Sequence, residues 1–94
     1  MSEPATGPIA AEMRRRLEAA LQPTVLALID DSEQHRGHAG HNLAGESHFS
    51  LVIESAAFSG KSRLAMQRLI HAALGDLLNE RVHALSIVAR EPQP

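Results

Sequence analysis

Apolar residues recur along this chain in two rhythms, and the switches between them mark its elements. From residue 9 to 21, Ile9, Met13, Leu17, Ala20 and Leu21 return at helical spacing and make one apolar stripe. Pro8 suits the first turn, where a missing N–H costs little. Pro23 ends the helix, because the residue before a proline is pushed out of the α region. Residues 24–31 then read as a strand, with Val25, Leu26, Leu28 and Ile29 between Pro23 and Asp30-Asp31-Ser32. Their density predicts burial on most of both faces and leaves the register open.

The second half repeats the two rhythms more clearly. Over residues 48–55, Phe49, Leu51 and Ile53 alternate with Ser50, Val52 and Glu54, which gives a strand with a core face and a mixed face. Phe58-Ser59-Gly60 is the turn that follows, with Ser59 or Ser62 available to cap the next helix. That helix is expected to run unbroken over residues 61–80, with Met66, Leu69, Ile70, Ala73, Leu74 and Leu77 on one face. Gly75 lies inside it at a cost of about 1 kcal/mol against alanine, and nothing in the pattern accounts for it. Residues 82–89 form the last strand, with Leu85 and Ile87 on its core face and His83 on the same side by period two. A helix linking two strands makes them parallel neighbours. The expected order is α-β-β-α-β: an α+β domain over residues 9–90, with both helices on one face of a three-stranded mixed sheet. Residues 1–8 and 91–94 read as tails.

Between the first two strands lies the one irregular stretch, residues 32–46. Loops of that length are uncommon in compact domains and are often functional. It carries His35, His38 and His41 at intervals of three, with Gly37 and Gly40 between them. Those histidines fit either a solvated polar loop or a site for a metal ion.

Composition narrows the chemistry. The 94 residues suffice for one core. Nine basic and eleven acidic residues argue against broad, charge-driven binding to nucleic acid. Arg14, Arg15 and Arg16 are consecutive, but on a helix they fan around the axis, which favours a solvated polar face over a basic patch. There is no cysteine, so the chain offers neither disulfides nor thiolate ligands. No apolar run approaches the roughly 20 residues of a membrane span, no signal-like segment follows the start, and Glu3 speaks against a transit peptide. The expectation is a soluble, cytoplasmic protein. No nucleophile–base pair, paired carboxylates at helical spacing or phosphate-binding glycine motif is present, so an enzyme is not expected.

With these elements in order, four pieces resemble the BolA-like family: Asp30-Asp31-Ser32 before a histidine loop, Glu46-Ser47-His48-Phe49, Phe58-Ser59-Gly60 and Val82-His83-Ala84-Leu85. The resemblance spans roughly residues 13–90. It implies a fold similar to the type II KH arrangement and work alongside monothiol glutaredoxins in handling iron–sulfur clusters. It also implies, as an alternative, DNA-binding transcriptional regulation in stress response. By the resemblance, His83 is a cluster ligand, and the second ligand falls in the loop, on His35 by its spacing from Ser32, with His38 as the other choice. Two histidines can hold one iron of a [2Fe–2S] cluster, but the other iron needs thiolates. The resemblance assigns these to a glutaredoxin cysteine and glutathione, with no cluster held by the isolated chain, itself a monomer or weak dimer. Many members carry Arg-His-Arg early in the second helix where this chain has Met66-Gln67-Arg68, and His71 is not credited as a substitute. His48, at a strand start, is read as structural.

Overall fold

In a computed structural model, residues 5–31, 48–82 and 84–92 are described. Helix α1 (Pro8–Leu21) leads into β1 (Val25–Asp30) and β2 (His48–Glu54). A 3-10 turn (Ala56–Phe58), α2 (Arg63–Leu74), α3 (Leu77–Glu80) and β3 (Ala84–Arg90) complete the order. Strand β2 lies in the middle, antiparallel to β1 and parallel to β3. The expected α+β layout, a three-stranded mixed sheet with its helices packed on one face, is what forms.

Alternation decides which face is covered. Leu28 of β1 and Phe49, Leu51 and Ile53 of β2 are buried, and Leu85 and Ile87 of β3 pack against them. Met13 and Leu17 of α1 and Ile70 and Leu74 of α2 are fully buried over that same surface. Phe49 and Phe58, the only aromatic residues, are both inside. Removing side chains of this size from water contributes roughly 1.5–3 kcal/mol each.

Strand β1 departs from expectation. Val25 is 39% exposed, Ala27 is exposed, and only Leu28 is buried. Both helices cover the same side of the sheet, so the outward residues of β1 face no second layer among the described residues.

The long helix also departs from expectation, breaking after Leu74. Gly75 takes φ +58° and ψ −134°, and its N–H donates to the His71 carbonyl at 2.9 Å. A side chain rarely adopts that conformation, which explains the glycine left unaccounted for by the pattern. At the other end Ser62, rather than Ser59, caps α2, accepting the Ala65 N–H at 3.1 Å. Val82, expected in the last strand, instead donates its N–H to Leu77 as α3 closes.

The N-terminal tail is shorter than expected. Pro8 already belongs to α1, and Ala5 is 3% exposed with its N–H donating to the Leu28 carbonyl at 2.8 Å. A buried amide needs such a partner, and Leu28 supplies it on the outer edge of β1.

Candidate functional site

Three points of the chain converge at one corner of the sheet. Strand β1 runs out at Asp30, and the next residue, Asp31, donates its N–H to the His48 carbonyl at 2.7 Å. His48 opens β2 and stands in register with Ala84, the first residue of β3. Ser50 donates its hydroxyl to the Asp31 carboxylate, tying the exit of β1 to the neighbouring strand. The chain therefore leaves at Asp31 and returns at His48, beside the start of β3.

The candidate ligands His35, His38 and His83, and His41 with them, lie outside the described residues. What the described residues fix is their attachment: 32–47 departs from and returns to the corner at Asp31 and His48, and 83 immediately precedes Ala84 there. Among the described residues no group of three or more His, Cys, Asp or Glu side chains could hold a metal ion. His48 is half-buried and engaged within the protein, in keeping with a structural role. His71 is exposed in the last turn of α2. In the Met66-Gln67-Arg68 stretch, Met66 packs on the core, Gln67 is half-buried and Arg68 is exposed.

The consecutive arginines are not simply a solvated face. Arg15 and Arg16 both bond the Glu12 carboxylate, Arg16 at 2.8 Å. Arg16 Nη1 also reaches the Leu74 carbonyl at 2.7 Å and Asp76 at 3.0 Å. Arg14 Nη2 lies 3.5 Å from the Leu28 carbonyl. Hydrogen bonds from Arg15 first and Arg16 second hold the Glu12 carboxyl down at about 2. Both guanidiniums are raised in turn, mainly by their bonds to Glu12. Arg15 and Arg16 are thus paired with carboxylates, which offsets part of the charge of the run. Pattern reading could have paired Arg15 and Arg16 with Glu12 by their i+3 and i+4 spacing, but nothing local foretells the reach to Leu74. It also missed the cross-strand pair of Arg90 with Glu54, 2.7 Å apart on a carboxylate that is 9% exposed.

Comparison with known proteins agrees with this geometry. A family model described as "BolA-like protein" matches residues 17–93. Human "BolA-like protein 1" is 44% identical over 88 residues, covering 94% of this chain and 61% of that protein. The chain thus spans about three fifths of that relative's length. The solved "BolA domain of SufE1 from Arabidopsis thaliana" superposes with a TM-score of 0.81 at 45% identity, covering 94% of this chain and 96% of that one. Escherichia coli "DNA-binding transcriptional regulator BolA" is 37% identical over 79 residues, covering 84% of this chain and 71% of that protein.

Proposed function

Because the chain belongs to the BolA-like protein family, we propose that it is an iron–sulfur accessory protein that shares a [2Fe–2S] cluster with a monothiol glutaredoxin. The observation that carries the reading is the register at the sheet corner. Asp31, His48 and Ala84 are neighbours there, so the segment holding His35 and His38 and the position of His83 are attached at one place. His83 and one loop histidine, His35 by spacing or else His38, supply imidazole nitrogen.

The donor set fits half of such a cluster. Imidazole suits one iron, and with no cysteine in the chain the thiolates for the other come from the partner's cysteine and glutathione. The cluster is therefore cargo completed between two proteins, and this chain's task is to present neutral imidazoles at a fixed corner. A protonated imidazole cannot ligate, so the shared state weakens on acidification. The same reading makes the chain a non-enzymatic adaptor. Among the described residues no helix is long and apolar enough to cross a membrane.

The test is a titration of purified chain into cluster-loaded monothiol glutaredoxin, followed by visible absorption and circular dichroism. A one-to-one spectral change, lost in His83→Ala, supports the shared cluster, and loss in His35→Ala or His38→Ala names the second ligand. Wild-type chain that leaves the spectrum unchanged overturns the reading.

A second reading, DNA-binding regulation, draws on the name of the E. coli relative and on Lys61, Arg63 and Arg68, which are exposed and make no ion pair among the described residues. Affinity that falls steeply with salt and survives His35→Ala/His83→Ala favours it over the cluster.

A further inference from the structure

The two edges of the sheet are treated differently. On β1 the outward Leu28 carbonyl accepts the Ala5 N–H and faces Arg14, so that edge is capped from within the chain at its midpoint. On β3 no described residue pairs with the outer edge, although all seven of its residues stand in register with β2. The strand carries no proline, lysine or bulge, the usual means of blunting an exposed edge.

Which backbone groups face outward follows from one bond. The Arg90 carbonyl accepts the Ser55 N–H at 3.2 Å, so the backbone of Arg90 is turned toward β2. Alternation then turns the N–H and C=O of Ala89, Ile87 and Leu85 away from the sheet. Beside them runs a groove of about 300 Å³ lined by Ile87, Val88, Ala89, Arg63 and Gln67. Its floor is aliphatic, Val88 is 53% exposed, and the cation at its rim is paired with no carboxylate among the described residues.

We infer that the outer edge of β3 receives an extended, acidic segment of a partner protein as a fourth strand. Main-chain bonds to Leu85, Ile87 and Ala89 supply its pairing. Successive side chains of an added strand point to opposite faces. Those on the helix side meet Arg63 and Gln67, where a carboxylate is matched, and those on the open face lie against Val88. A basic segment would meet Arg63 with like charge and is disfavoured. The site needs neither a cluster nor the histidine corner, so it stands or falls apart from the function proposed above.

The probe is a capped heptapeptide of alternating valine and glutamate, with a valine–lysine peptide as control, titrated into isotope-labelled full chain by NMR. The expected result is amide shifts concentrated at Leu85, Ile87 and Ala89 with the glutamate peptide alone. Arg63→Glu, on an exposed first helical turn, weakens it about threefold to fivefold, as for an exposed ion pair. Ala89→Pro removes an outward donor without touching the ladder to β2 and abolishes it. Equal shifts with the lysine peptide, or none at these amides with the glutamate peptide at millimolar concentration, overturn the proposal. So do shifts of the same amides on dilution of the chain alone, which would give the edge to a second copy.

Discussion

Arg16 of α1 donates to the main-chain carbonyl of Leu74, the last residue of α2, at 2.7 Å. The same guanidinium holds Glu12 on its own helix and Asp76 just beyond the break. A side chain from one helix thus caps the C-terminal end of the other, where carbonyls lack partners. Arg16→Ala is expected to lower stability, because it removes the guanidinium from Glu12, Leu74 and Asp76 at once. Asp76→Asn should cost much less, since Asp76 is 65% exposed. Urea unfolding of the two variants checks the order.

Gly75 gives a test by sign. In a continuous helix, glycine to alanine would stabilise by about 1 kcal/mol. At φ +58° and ψ −134°, with a new Cβ lying 3.4 Å from Arg16 Nη1, Gly75→Ala should instead destabilise by about 1–3 kcal/mol. A melting temperature that rises would refute the break.

Acid should expose the contribution of Glu12. Its carboxyl sits at about 2 in the folded chain against an ordinary 4.5, so the unfolded chain binds more protons between those values. The stabilisation is full above the higher value and disappears as pH falls through the lower one. Glu12→Gln should therefore be less stable than the parent at neutral pH, with the difference shrinking as pH falls and vanishing only below the lower value. Denaturant titrations across that window measure the convergence, which salt should reduce, because Glu12 and Arg15 are at the surface.

Ser55 joins two backbone groups with one hydroxyl. It is fully buried, donates to the Leu21 carbonyl at the end of α1 and accepts the Ala57 N–H at 3.1 Å. Ser55→Ala leaves both groups without that partner and should cost about 1–3 kcal/mol. Ser62→Ala, which loses an exposed cap, should cost about 1 kcal/mol. Equal losses in chemical denaturation would contradict the distinction.

Period-two and helical patterns carry most of the architecture because they record which residues face a covering layer. Phe49, Leu51 and Ile53 alternate against polar neighbours, and their face is the core. Val25 and Ala27 misled because apolar character alone does not distinguish a covered face from an open one. Gly75 misled because Leu77 continues the apolar spacing past the break, so periodicity sees no interruption where the backbone turns. The reach of Arg16 to Leu74 and Asp76 is beyond any local pattern, since those partners lie 58 and 60 residues away. For the site, motif order led to His83 and the loop, and the register supplies what motif order lacks: Asp31, His48 and Ala84 at one corner. The ligand identities come from family resemblance, with the described frame fixing only their points of attachment.

The parallel pairing of β2 and β3 has a consequence for assembly. With a rise of about 3.3 Å per residue, Leu85 to Ala89 lie roughly 3–17 Å along the strand from Ala84. A cluster-bearing partner at Ala84 and an acidic segment on the outer edge would occupy adjoining stretches of one rigid ruler. If both belong to one protein, seating either raises the local concentration of the other, and modest contacts combine into avidity. If they belong to two proteins, the strand becomes a scaffold that sets the distance between donor and recipient.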